Sequence, residues 1–231
     1  MRSIFNSSTI IERILPLQPC ILCGAFNSDG VWCNACDADL PRLGVAHCPV
    51  CGLPSLNGDI CGKCLKKAPG FDATLAAFAY AFPIDKLVQA VKFSAQLALV
   101  DQLADALAPR ITTRPDYLIA MPLHPLRLRE RGFNQSHLLA QRLAKNLGIP
   151  LLANACERTR NTPPQSLLPW QERGKNMRGA FTCSIDLTGK HIAIVDDVMT
   201  TGASIDELAR TLRQAGSVQV SAWVLARTLP H

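Results

Sequence analysis

The chain has 231 residues, 48% hydrophobic and 18% charged, with 16 Pro and 14 Gly, a composition that excludes disorder and fibrous or collagenous classes and suits one large or two small domains. Its longest unbroken apolar stretch, Leu75 to Phe82, is eight residues, far short of the ~18 to 20 needed to span a bilayer, so no membrane insertion is expected. The formal charge is +6; eight thiolates around two zinc ions would bring it to about +2, which makes the basic character weak support for a nucleic-acid partner.

Residues 1–19 read as a helical N-terminal segment without the compact apolar region and small-residue cleavage site of a secretory signal, and a cytoplasmic location is expected. Next comes the densest feature of the chain. Of ten cysteines, eight form four Cys-x-x-Cys knuckles: Cys20/Cys23, Cys33/Cys36, Cys48/Cys51 and Cys61/Cys64. The second pair of knuckles repeats the first at a spacing of 28 residues, an internal duplication. In a reducing compartment such a set holds metal rather than disulfides, and four thiolates per half match the ligand set of a structural zinc. Each half is too short to bury a core, so metal supplies the folding free energy. Sequential pairing, one zinc per half, is the simplest arrangement; cross-braced pairing, a disulfide scaffold and redox Cys-x-x-Cys chemistry are the alternatives. Gly24 and Gly52 follow the first knuckle of each half, where a tight turn brings amides toward the sulfurs.

After this module (20–66), the Lys66–Gly70 segment reads as a linker, and an α/β domain is expected over 71–231. Thr74 to Phe82 is apolar. Helical periodicity runs from Ile84 to Phe93 and from Leu97 to Leu107, followed by a strand at Tyr117–Met121 and a helix from Gln135 to Leu147 that stops at Gly148 and Pro150. A buried-type strand, His191–Val195, precedes a helix from Ile205 to Gln214, and Val218–Ala226 closes the chain as a strand. Strands alternating with helices predict a mainly parallel sheet covered on both faces.

Ligands of such sheets bind at the carboxyl ends of the strands. There the chain places two adjacent carboxylates, Asp196 and Asp197, and then Val198, Met199, Thr200, Thr201, Gly202, Ala203 and Ser204 ahead of a helix. Small residues, hydroxyls and a helix N-terminus make Val198 to Ser204 a phosphate cradle. Carboxylates repel phosphate but accept hydrogen bonds from vicinal hydroxyls, so a ribose 5′-phosphate satisfies both halves of the site. A capped helix after an incidental Asp pair and a magnesium-binding NTPase strand are the competing readings.

This stretch resembles the phosphoribosyl pyrophosphate (PRPP) signature of type I phosphoribosyltransferases. Two further segments narrow the resemblance. Pro122 to Ala144, containing Arg-Gly-Phe-Asn-Gln, and Arg158 to Phe181, with Gln165, Glu172, Arg173, Asn176 and Gly179-Ala180-Phe181, are similar to segments of the ComF (GntX) family, in which cysteine zinc modules precede such a domain. The resemblance covers Cys20 to Thr228. It implies PRPP binding with magnesium, a cytoplasmic location and a part in handling imported DNA, through competence or the use of DNA as a nutrient. It also implies that the loop after Tyr117–Met121 receives pyrophosphate and that Arg158 to Arg173 is a catalytic flap, mobile when empty. Arg129, Arg131 and Arg173 are then the arginines to grip phosphate oxygens and, with the Asp pair, the candidate catalytic residues; Arg142 and Lys145 read as an exposed helix face. If the chain is an enzyme, a nitrogen acceptor displaces pyrophosphate, but the candidate base-recognition region, Phe71 to Phe93, shows no pattern that names a base. The alternative is a non-catalytic adaptor that binds a DNA-uptake protein or single-stranded DNA, with Phe133 and Trp170 stacking on bases and the α/β domain sensing PRPP or a nucleotide.

Overall fold

The computed structural model describes residues 17–44, 46–94, 96–160 and 177–230. The chain divides into two compact units, one ending at Leu40 and one beginning at Pro41.

The first unit carries a short hairpin, β1 (Gln18–Pro19) with β2 (Phe26–Asn27), and a one-turn helix α1 (Asn34–Ala38). Trp32 is buried and its Nε1 donates to Asp37 Oδ1 at 2.9 Å, so the largest side chain of this small unit has its polar atom satisfied.

The second unit begins with the duplicate of that motif. A bridge between His47 and Pro54 replaces the hairpin, and α2 (Gly62–Lys66) replaces α1. The α/β domain follows, with β3 (Ala73–Ala79), α3 (Ile84–Ser94), α4 (Ala98–Leu107), β4 (Tyr117–Ala120), α5 (Pro125–Arg131), α6 (Gln135–Leu147), β5 (Cys156–Arg158), β6 (Phe181–Cys183), β7 (His191–Met199), α7 (Ala203–Gln214) and β8 (Gln219–Arg227).

Four strands form one sheet in the order β3-β8-β7-β4, and every pairing is parallel. The central strands β7 and β8 are buried nearly throughout, as strands covered on both faces must be. Helices α4 and α6 pack on one face. On the other, Ile205, Leu208 and Leu212 of α7 close over Ile192, Ile194, Val220 and Val224, and the two-stranded β5–β6 ribbon joins the same core. Parallel strands have to be joined by crossovers, and α3–α4, α5–α6 and α7 provide them. Among the described residues, no helix is long and apolar enough to cross a membrane.

The periodic segments fold as their patterns predict, with three additions. A helix, α5, forms where only a loop is legible, because Pro125 occupies its first turn and His124 Nδ1 caps it by accepting from Leu126 N at 3.2 Å. The arginine segment is anchored by β5 and β6, whose three-residue strands are too short to show alternation. Strand β7 runs four residues past Val195, to Met199. Val198 and Met199 pair with Ala226 and Arg227 in the sheet, and the open loop starts at Thr200. The candidate residues Gln165, Trp170, Glu172, Arg173 and Asn176, most of the flap, and residues 1–16 of the N-terminal segment lie outside the described residues.

Candidate functional site

Cys20, Cys23, Cys33 and Cys36 form one cluster and Cys48, Cys51, Cys61 and Cys64 the other, each with its sulfurs within 4.8 Å of one another. This is the sequential pairing. The distances Cys20–Cys36 (3.8 Å), Cys23–Cys33 (3.8 Å) and Cys51–Cys61 (3.7 Å) fit the edge of a tetrahedron with Zn–S bonds of about 2.3 Å, which is about 3.8 Å. Amide hydrogen bonds finish the site: Leu22 N and Cys33 N donate to Cys20 Sγ at 3.4 Å, and Cys61 N donates to Cys48 Sγ at 3.3 Å. Burial pushes the Cys20 and Cys48 thiols up, but these amides outweigh it and bring them down to about 6 and about 7. Burial and the neighbouring sulfurs push Cys64 up. Such a split is what four crowded thiols show before a cation takes their charge. Two structural zinc ions fit.

The second site lies at the carboxyl end of β7. Asp196 and Asp197 are both buried, 9% and 7% exposed, so each carboxylate must be satisfied by the protein. Asp196 Oδ1 accepts from Ser136 Oγ at 2.8 Å and from Asp197 N at 2.9 Å. Asp197 Oδ1 accepts from Val198 N at 2.7 Å, and Lys92 Nζ lies 2.8 Å from Asp197 Oδ2. Burial and the charge of Asp197 raise the Asp196 carboxyl to about 7. Burial pulls the Lys92 ammonium down, yet Asp197 overcomes it and its pKa stands above the ordinary value.

The Arg-Gly-Phe-Asn-Gln-Ser run explains how this pair is held. Gly132 ends α5 at φ +83, a left-handed cap. Asn134 starts α6: its Oδ1 accepts from Ser136 N at 3.0 Å, while its Nδ2 donates to Met121 O, just past β4, at 3.0 Å. Gln135 Oε1 accepts from Arg131 Nη1 at 2.5 Å, and Ser136 reaches Asp196. One short motif thus fixes an arginine, a helix start and a carboxylate.

Arg131 and Arg158 are both partly buried near the pair. Burial lowers the pKa of each, while Asp197 opposes the shift at Arg131 and Asp196 opposes it at Arg158. Arg131 stacks over the Phe93 ring at 5.5 Å and Arg158 over Phe181 at 6.0 Å. Arg129 is exposed on α5. Arg142 ties α6 to α4 by facing Asp101 and Asp105. Past β7, the half-buried Thr200 and Thr201 lead into Gly202, at φ +83 the N-cap of α7. The left-handed φ is what calls for glycine; a Cβ there would also lie 2.7 Å from the flexible end of Met199, at Cε. Thr201 Oγ1 accepts from Ala203 N at 3.1 Å, and Ala203 and Ser204 open the helix. A cleft of about 320 Å³, lined among others by Pro122, His124, Pro125, Asn134 and Arg158, lies beyond β4.

The sequence singles out Asp196, Asp197 and Arg131 and offers Lys92 only as part of the base-recognition region, whereas the structure pairs it with Asp197; Ser136 and Arg227 carry no assigned role. Ser136 directly follows the recognised motif and could have been read from it. Lys92 sits on the border of an amphipathic helix and carries no signal for that pairing.

Fold and sites together define a double zinc-ribbon protein with a parallel α/β domain whose last-but-one strand carries an acidic pair near its carboxyl end and leads into a threonine-glycine loop. The double zinc ribbon domain matches residues 10–65. The DNA utilization protein YhgH of Escherichia coli is 36% identical over 221 residues, 91% of this chain and 97% of that protein. Competence protein F of Haemophilus influenzae is 31% identical over 207 residues, 84% and 90%. The chain belongs to their family, the ComF/GntX family. Among solved structures, a purine phosphoribosyltransferase from Pyrococcus horikoshii is 21% identical, with 56% of this chain and 82% of that one covered at a TM-score of 0.37. The adenine phosphoribosyltransferase of Leishmania tarentolae is 13% identical, with 66% and 75% covered at 0.39. The fold assignment rests on the sheet order and the β7 loop, not on these superpositions.

Proposed function

We propose that this protein binds PRPP, or a related ribose phosphate, at the end of β7 and transfers its phosphoribosyl group to a nitrogen acceptor, as a cytoplasmic step in the handling of imported DNA for competence or nutrition. The observation that carries the reading is the buried Asp196–Asp197 pair, braced by Ser136 and Lys92 and running directly into the Thr200–Ser204 loop that opens α7. The names of the relatives, DNA utilization protein and competence protein, support the DNA setting.

In this reading the loop from Thr200 to Ser204 takes the 5′-phosphate on its hydroxyls, amides and the helix N-terminus, with Val198 and Met199 as its base in the sheet. Asp196 and Asp197 accept the ribose hydroxyls. Arg131 and Arg158, joined by Arg129 and by Arg173 of the flap, face the pyrophosphate, where guanidinium forks suit paired phosphate oxygens. Magnesium would enter on the substrate's own pyrophosphate oxygens. The acceptor nitrogen's lone pair bonds to C1′ as the C1′–O bond to pyrophosphate breaks. The bonding pair leaves with pyrophosphate, and the acceptor's N–H proton goes to solvent. Positioning and charge placement supply most of the catalysis.

Changing Asp196 and Asp197 to Ala should weaken PRPP binding by ~1.5 to 3 kcal/mol each while leaving zinc content unchanged; calorimetry showing full affinity in the double variant would refute the assignment. A screen of bases and amines for pyrophosphate release then tests transfer itself. The pH dependence adds a check. Because folding raises the Asp196 pKa to about 7, the protonated form is favoured in the folded state, and the stability it contributes is present at low pH and lost as pH rises through about 7. Ribose hydroxyls prefer the ionised acceptor, so PRPP affinity should rise between about pH 6 and 8, and Asp196→Asn should flatten that rise.

A second reading has its own observation. Lys92, Phe93, Arg127, Arg131 and Phe133 line a cleft of about 250 Å³, and Phe93 is 77% exposed. Aromatic faces beside cations suit single-stranded DNA, as an adaptor to the uptake machinery would use them. Tryptic cleavage after Arg158, Arg160, Arg173 and Arg178 separates the two: PRPP with magnesium should slow it if the segment is a flap, whereas salt-sensitive protection by DNA alone would favour the adaptor.

A further inference from the structure

Arg227 ends β8 with its side chain 2% exposed. A guanidinium keeps its charge under all ordinary conditions, and a buried charge needs both acceptors for its N–H groups and a counter-charge. The acceptors are all main-chain carbonyls. Nε donates to Cys51 O at 2.8 Å, and Nη1 donates to Met199 O at 2.9 Å, to Thr200 O and to Thr228 O at 3.0 Å. Carbonyl dipoles take the hydrogens of Nε and Nη1 but do not neutralise the charge.

The second cysteine cluster adjoins this guanidinium. Four thiolates around Zn²⁺ carry a net charge of about −2, and Cys51 and Cys64 line the same cleft wall as Arg227 and Met199. The aliphatic stem of Arg227 also packs on the turn of that cluster: a Cβ on Gly52 would lie 3.6 Å from Arg227 Cδ. One guanidinium therefore touches a zinc knuckle and the two carbonyls where β7 gives way to the phosphate loop. A neighbouring contact runs parallel to it. Thr74 Oγ1 donates to Val50 O at 2.6 Å and lies 3.9 Å from Met199 Sδ.

We propose that Arg227 is a positioning residue that couples the two sites: it is the counter-ion of the second zinc–thiolate centre and, through the same guanidinium, fixes the Met199 and Thr200 carbonyls from which the phosphate loop departs. The second zinc then does more than fold its own ribbon, because its charge keeps Arg227 buried and the loop in register. The loop's role in phosphate binding rests on the reading above; the coupling does not.

The test uses the full chain, zinc as the probe and the first cluster as internal reference. In Arg227→Gln, competition with a chelator should show zinc at the second cluster held about tenfold more weakly, with the first cluster unchanged. Hydrogen exchange of the Thr200–Ser204 amides should accelerate. Arg227→Lys keeps the charge and loses the fork, so it should recover most of the zinc affinity while those amides still exchange faster than in wild type. Unchanged zinc affinity at the second cluster in Arg227→Gln, an equal loss at both clusters, or a Lys variant no better than Gln would overturn the proposal. PRPP titration of the wild-type chain is read separately: failure to bind would overturn the phosphate reading, while the zinc and exchange results would still decide the coupling.

Discussion

The two zinc ribbons are copies that share the hydrogen bonds of their knuckle turns, yet they are built into the molecule differently. Cys20 N donates to Ala25 O at 2.8 Å and Cys48 N to Leu53 O at 2.7 Å; Gly24 N donates to Cys20 O at 2.8 Å and Gly52 N to Cys48 O at 2.9 Å. The one-turn helices start at Asn34 and Gly62, at the same 28-residue offset. Their surroundings diverge. In the first ribbon Cys23 is exposed and α1 buries no residue. In the second, Cys48 is 0% exposed, Thr74 N donates to Pro49 O at 2.9 Å, and Thr74 and Arg227 grip Val50 and Cys51. A repeat in sequence specifies a repeated metal site, while the role of each copy depends on what packs around it.

The largest effect expected from this difference comes from removing one ligand in each copy. Cys64→Ser and Cys36→Ser should each lower zinc content from two ions per chain to one. Cys64→Ser should also destabilise the α/β domain by on the order of 4 kcal/mol, since metal loss is among the few single changes of that size; at ~2 to 4 °C per kcal/mol for a domain of this length, its melting midpoint should fall by about 10 °C. Cys36→Ser should leave that transition within about 2 °C, because its ribbon is a separate unit. Scanning calorimetry with zinc analysis checks both, and equal shifts would erase the distinction.

A smaller effect sharpens it. Gly24 and Gly52 are equivalent positions at φ +76 and +69, so alanine at either incurs the left-handed penalty of ~1 to 2 kcal/mol. A Cβ on Gly24 meets nothing within 4 Å, whereas one on Gly52 would sit a tight 3.2 Å from Thr74 Cγ2 and in ordinary contact with the Arg227 stem at 3.6 Å. Gly52→Ala should therefore cost more than Gly24→Ala and should speed hydrogen exchange in the Thr200–Ser204 loop, which Gly24→Ala should not touch. Identical exchange in the two variants would show that the second ribbon does not bear on the loop.

What was legible in the sequence follows the same division between local and tertiary information. The knuckle spacing names the ligands because a metal site of this kind is made almost entirely by residues close in the chain. The Asp196–Asp197 pair and its loop were legible for the same reason, as strand, acids and helix start are consecutive. Pairing of the knuckles was not fixed by spacing; it needed the sulfurs' positions. Lys92 reaches Asp197 from 105 residues away in sequence, and Arg227 reaches Cys51 across 176. Such contacts leave no periodic trace. Helix α5 was missed because its seven residues, four of them charged, show no apolar stripe, and its start depends on a histidine cap that also reads as loop.

The smallest effect concerns the two cysteines outside the duplicated module. Cys156 and Cys183 face each other across β5 and β6 in an antiparallel register, and burial, with the Cys183 sulfur beside it, pushes the Cys156 thiol up. Two sulfurs on a ribbon supply half of a tetrahedral thiolate site, and neither belongs to the two clusters within metal-binding reach. Changing both to Ala should leave two zinc ions per chain and remove about 1 kcal/mol of stability through the small cavity at Cys156. If instead the double variant carried one zinc, the ribbons would not be the complete metal complement of the chain, and the one-ion-per-repeat assignment on which their comparison stands would fall.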